Sequence, residues 1–116
     1  MLKKENRIRL NKEFDRVFKT GQSFYGKFLG LKAVPNGLNL TRVGIMVSTK
    51  VSKKATVRNL AKRRIRSIMS GLFDSLKPGQ DIVIIALPSL ADQDFPTIKS
   101  FLDQALKRLR LYKLVK

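Results

Sequence analysis

Apolar residues recur at helical spacing in three stretches of the chain. Between these stretches they alternate with polar residues or run together. From Asn11 to Thr20, Phe14, Val17 and Phe18 fall on one face, with Asn11 placed as an N-cap and Gly21 as a stop. Residues 24–34 are rich in aromatic and branched side chains and read as strand, closed by the turn signal Pro35-Asn36-Gly37. Residues 41–48 alternate. Val43, Ile45 and Val47 point one way, while Arg42, Gly44, Met46 and Ser48 make a small polar face on which a ligand could lie. The longest helical pattern covers residues 56–72, with Val57, Leu60, Ala61, Ile65, Ile68, Met69 and Leu72 on one arc. Asp81 to Leu87 is an apolar run bounded by Gly79 and Pro88, the pattern of a strand buried on both faces. A last helix is predicted from about Phe95 to Tyr112, with Ile98, Phe101, Leu102, Ala105, Leu106 and Leu109 as its core stripe.

These elements predict one domain over residues 1–116. Its class is α/β (α+β): a two-layer sandwich of three helices on a mixed sheet of about four strands, in the order αβββαβα. The chain holds no repeat, linker or low-complexity tract.

Charge changes the picture most. The formal net charge is +17, and self-repulsion of that size calls for an anionic partner. Residues 1–66 carry 18 Lys or Arg and 3 acidic residues, whereas residues 67–116 carry 7 and 5. The sequence has no cysteine and no histidine, which removes disulfides, thiolate metal sites and the commonest general base. A basic N-terminus without a following apolar segment, and no run long enough for a membrane span, predict a cytoplasmic protein with no membrane partner.

The cations concentrate between residues 50 and 66, where eight of seventeen residues are Lys or Arg and none is acidic. Arg58, Lys62 and Arg66 are four apart and share a helix face, which Asn59 and Arg63 widen. Lys53, Lys54 and Arg58 crowd the helix N-terminus, where the dipole disfavours cations. Phosphate oxygens would relieve both repulsions. A solvated basic face is the plain alternative, but the length of the run and the total charge favour nucleic acid. Arg64 falls inside the apolar arc, where its stem would have to reach the edge. Phe14, Phe18, Phe24, Tyr25 and Phe28 gather near the N-terminus among cations. Helical spacing alone makes Phe14 and Phe18 core residues, although rings beside cations can also stack unpaired bases.

The run Arg58-Asn59-x-x-Lys62-Arg63-x-x-Arg66 resembles the signature of the bacterial ribonuclease P protein component. Arg42-x-Gly44, Ser48-x-Lys50 and Lys53-Lys54 resemble that family's approach to the motif. Arg9-Leu10 with Phe14, Val17-Phe18 and Gly21 resembles its opening, and Asp81-Ile-Val-Ile-Ile its last strand. The resemblance implies the protein subunit of an endoribonuclease that removes the 5′ leader of precursor tRNA. Catalysis would be carried by the RNA subunit with bound Mg²⁺, held mainly by the RNA and substrate. No catalytic or metal-ligating residue is implied in this chain, and no protein partner is required.

By the same resemblance, Lys50, Lys53, Lys54, Arg58, Asn59, Lys62, Arg63 and Arg66 would bind the catalytic RNA. Phe14, Phe18, Lys27, Arg42 and Arg9 would form the leader-binding cleft. The implied sandwich has a left-handed β-α-β crossover, where general preference predicts a right-handed one. Two departures stand out: Thr49 where the family usually has lysine, and Ala86-Leu87-Pro88 where many members carry a cation.

Three rival functions meet obstacles in the sequence. A protein-only nuclease lacks a base and a carboxylate cluster, Asp92 and Asp94 being the closest pair. A ribosomal-type protein or general RNA chaperone fits the charge but not the ordered motifs. A membrane-surface protein would need the apolar arc that the core requires.

Overall fold

A computed structural model of the chain describes residues 3–113. The elements are α1 (Asn11–Thr20), β1 (Gln22–Tyr25), β2 (Leu29–Pro35), β3 (Arg42–Met46), α2 (Ala55–Leu72), β4 (Gln80–Ala86) and α3 (Phe95–Arg108). The order is the expected αβββαβα, with one more strand before α2 than the apolar spacing alone outlines. The four strands form one mixed sheet in the order β1-β2-β4-β3. β2 pairs antiparallel with β1 and β4, and β4 pairs parallel with β3. A parallel pair needs a long connection, and α2 lies within it.

β4 is internal because its residues are apolar on both faces. Ile82, Ile84 and Ala86 join the main core with Leu29, Leu31, Ile65, Met69, Leu102 and Leu106. Val83 points the other way and packs with Ile8 and Val17, so α1 covers the opposite face. α2 and α3 thus make the principal helical layer, and α1 adds a partial one.

Residues 24–34 do not form one strand. They form the β1–β2 hairpin, whose turn is closed by the Gly26 amide donating to the Leu29 carbonyl at 2.9 Å. A Cβ on Gly26 would lie 1.8 Å from the Phe101 ring, so this turn can sit against α3 only with glycine. Phe28 meets Phe101 edge-on there, with centroids 5.3 Å apart.

α2 buries Ala61, Ile65, Ile68 and Met69. Leu60, predicted in the same arc, is instead exposed. Arg64 reaches sideways and donates from Nη1 to the Gln93 carbonyl at 3.1 Å, which accounts for a cation inside the arc.

α3 ends at Arg108, one turn before the predicted Tyr112. The Leu111 amide donates to the Leu106 carbonyl and the Arg110 amide to the Lys107 carbonyl, a Schellman turn. Arg110 adopts φ +57°, the left-handed conformation that favours glycine. Arg110→Gly is therefore expected to raise stability by about 1 kcal/mol. A thermal melt checks this, and a lower melting temperature contradicts it.

Candidate nucleic-acid interface

An ion-pair network at one end of the sheet positions the groove beside it. Arg42 and Asp81 stand directly opposite each other on β3 and β4. Arg42 donates to the buried Asp81 carboxylate from Nε at 2.8 Å and from Nη2 at 2.7 Å. Asn36 Nδ2 donates to the same carboxylate at 2.9 Å. Arg42 Nη1 donates to Glu13 Oε2, which ties α1 to the sheet.

Glu13 Oε1 also accepts from the amides of Leu10 and Arg9. The residue at the N-cap is thus Leu10 rather than Asn11, and the stabilising oxygen reaches back from Glu13. Burial raises the Glu13 carboxyl, but the Leu10 and Arg9 amides and then Arg42 outweigh it and hold the group below its ordinary value of 4.5. Its stabilisation is present above that value and is lost as pH falls through the lowered one. Glu13→Gln is expected to flatten the acid limb of a melting temperature against pH profile. An unchanged acid limb would contradict this role.

The N-terminal segment runs alongside β3. The Ile8 amide donates to the Val43 carbonyl at 3.0 Å, and Arg7 bridges to Val43 in parallel. A groove results. Arg7, Ile8 and Phe14 form one wall, Val43, Gly44 and Ile45 the floor, and Lys62 and Arg66 of α2 the other wall. Gly44 is needed here because a Cβ would lie 2.5 Å from the Phe14 ring. The small face of β3 predicted to be open is therefore partly occupied by Phe14. Phe14 and Phe18 are both half-buried against the Ile8, Val17 and Val83 cluster, so each is a core residue with one edge outward. Lys32 Nζ lies 5.8 Å from the Phe18 ring centroid and 6.0 Å from that of Tyr25.

α2 also presents cations outside this groove. Arg63, Arg66, Ser67 and Ser70 line a second recess, and Ser70 Oγ there is buried without a hydrogen-bond partner. Among the described residues, Lys62, Arg63 and Arg66 form no ion pair with a carboxylate. Arg58 also lacks one, and its Nη1 donates to the Ser52 carbonyl at 2.9 Å. That bond ties the helix to the loop before it, where Ser48 and Ser52 hydroxyls accept from the amides of Lys50 and Lys54. Lys50, Lys53, Lys54 and Asn59 are exposed along this approach.

The predicted leader residues are not all brought together. Arg9 lines a recess with Lys4, Arg7, Glu13 and Arg42. Arg42 itself is matched by two carboxylates, so it organises the groove and is not a free cation within it. Lys27 lies on the β1–β2 turn, its Nζ 5.8 Å from the Phe28 ring centroid. β1 and β2 occupy the side of the sheet away from β3, so Lys27 stands outside the groove. Arg7 is the addition: it lines both recesses. Its charge was visible in the sequence, but its pairing beside β3 was not. At the departures from the family pattern, Thr49 is exposed and Ala86 is buried. The Leu87 amide donates to the Phe28 carbonyl at 3.0 Å.

No helix among the described residues is long and apolar enough to cross a membrane. A family model described as Ribonuclease P matches residues 2–110. A ribonuclease P protein component from Clostridium botulinum strain Langeland is 41% identical over 110 residues, covering 94% of this chain and 98% of the relative. The solved ribonuclease P protein of Thermotoga maritima is 35% identical with TM-score 0.80, covering 88% of this chain and 96% of that one. That of Staphylococcus aureus is 28% identical with TM-score 0.86, covering 93% and 98%. Motif helix, sheet order and whole-chain similarity agree, and the chain belongs to the family of ribonuclease P protein components, the RNA-binding subunits of a tRNA-processing ribonucleoprotein.

Proposed function

We propose that α2 binds the backbone of the catalytic RNA while the groove between α1, β3 and α2 takes the 5′ leader of precursor tRNA. The observation that carries this reading is the two-sidedness of α2. Ala61, Ile65, Ile68 and Met69 are buried on one side, and on the other Lys62, Arg63 and Arg66 have no carboxylate partner among the described residues. Phosphates would supply the missing counter-charge and accept charge-assisted hydrogen bonds from the guanidinium groups.

Cleavage belongs, in this reading, to the RNA subunit. Among the described residues no three His, Cys, Asp or Glu side chains come together as a metal-binding group. The carboxylates nearest the groove, Glu13 and Asp81, are engaged by Arg42. Mg²⁺ would be held by oxygens of the RNA and the substrate, and the protein would contribute position and positive potential.

Reconstitution tests the proposal. The protein is mixed with a bacterial ribonuclease P catalytic RNA and precursor tRNA at low Mg²⁺, with accelerated 5′ maturation expected. Equal rates with and without protein would contradict it, and so would maturation by the protein alone. Within the same assay, Phe14→Ala is expected to weaken binding of substrates with long leaders by about 1–3 kcal/mol, the range for loss of one stacked base. Equal losses for leaderless and leadered substrates would leave Phe14 a packing residue only.

A further inference from the structure

A second group of cations stands at the opposite edge of the sheet. β1 and β3 are the two edge strands, about 14 Å apart across four strands. The groove and the motif helix lie at β3. At β1, Arg108 holds its guanidinium carbon 5.6 Å from the Phe24 ring centroid, and Gln22 Nε2 donates to the Leu109 carbonyl at 3.2 Å. Beyond α3 the chain is tied down again: the Lys77 amide donates to the Leu111 carbonyl and the Lys113 amide to the Ser75 carbonyl. Arg108 and Arg110 are exposed on this fixed turn, whereas Lys113 has crossed to the β3 side, where it lines a recess with Asn6, Thr41 and Asp74.

Among the described residues, neither Arg108 nor Arg110 forms an ion pair with a carboxylate. The nearby Asp103 already accepts from the Tyr112 hydroxyl at 2.6 Å and pairs with Lys107 at 3.1 Å. Favourable placement of cations at a helix C-terminus explains Lys107 and Arg108. It does not explain Arg110, which lies beyond the helix in a conformation that glycine adopts more easily.

We infer that Arg108 and Arg110 form a second phosphate-contacting surface, which binds an RNA backbone segment other than the one on α2. The inference rests on the RNA-binding reading above. The protein would then bridge two backbone segments across the width of its sheet. The segments could belong to the catalytic RNA or to the precursor tRNA, and the shared chemistry is the phosphate backbone.

Arg110→Gly separates charge from fold, because it removes a cation while relieving the backbone. Affinity for the ribonuclease P catalytic RNA is measured from 50 to 200 mM KCl, and affinity of the assembled holoenzyme for precursor tRNA over the same range. The variant should melt higher than the parent yet bind one of these RNAs more weakly. Loss of one contact lowers the log-affinity against log-salt slope by about 0.7–0.9, roughly a threefold smaller change over that range. Arg110→Lys should retain the parent slope. A loss in the first measurement assigns the contact to the catalytic RNA, and a loss in the second alone assigns it to the substrate.

Arg108→Gln provides an independent variant within the helix, with the same slope change expected. Parent-like slopes for both Arg110→Gly and Arg108→Gln, with Arg63→Ala reducing the slope, would overturn this inference and leave the reading of α2 standing. Parent-like slopes for all three would overturn both.

Discussion

Asp81→Ala is expected to destabilise the protein by about 3–5 kcal/mol, the range for breaking a buried ion pair from one side. Asp81 is fully buried and accepts from Arg42 Nε and Nη2 and from Asn36 Nδ2. Arg16 Nη1 stands 3.6 Å from the same carboxylate. Truncation leaves the Arg42 guanidinium with Glu13 alone, while the Asn36 side chain keeps only its bonds to the Leu40 carbonyl and the Leu38 amide. Urea denaturation would show a lower midpoint with an unchanged slope. The double variant Asp81→Leu with Arg42→Met should recover much of the loss, because removing both charges also removes their desolvation cost. A double variant no more stable than Asp81→Ala would mean that the pair contributes through more than its own compensation. The groove should suffer with the pair, since Arg42 also holds α1 through Glu13.

The second large effect is on binding. Replacing Lys62, Arg63 and Arg66 together by alanine should lower the slope of log affinity against log salt by about 2–3, if each cation meets one phosphate. The fold should survive, because none of the three is buried and the core face of α2 is untouched. Alanine is the better helix former, and the Lys62 and Arg66 repulsion at four-residue spacing disappears. Catalytic RNA titrated at several salt concentrations gives the slope, and a thermal melt establishes the fold. A parent slope in a well-folded triple variant would remove α2 from the interface.

The elements with sustained periodicity were legible in the sequence. α2 declared both of its faces, since burial at Ala61, Ile65, Ile68 and Met69 follows directly from their spacing. β4 was legible from an unbroken apolar run. The β1–β2 hairpin was not, because its turn rests on Gly26 and carries none of the usual Asn-Gly punctuation. The end of α3 was missed for a related reason: an arginine occupies the position where glycine ordinarily signals the stop.

The site was legible in its charge and less so in its geometry. The motif residues lie where helical spacing places them. Arg42 could not be separated from the free cations by sequence, because its partner Asp81 is 39 positions away and meets it only through the parallel pairing of β3 and β4. Arg7 joined the groove through a single backbone bridge, which no periodicity encodes.

The absence of cysteine allows one direct measurement of which surface faces RNA. A single cysteine at Ser67, exposed on α2 beside Arg63 and Arg66, can carry a tethered iron chelate that cleaves nearby RNA; a second variant carries it at Ser100, exposed on α3. Assembled with the catalytic RNA, the Ser67 tether should cut discrete backbone positions strongly and the Ser100 tether weakly. Strong cutting from Ser100 with none from Ser67 would contradict the account.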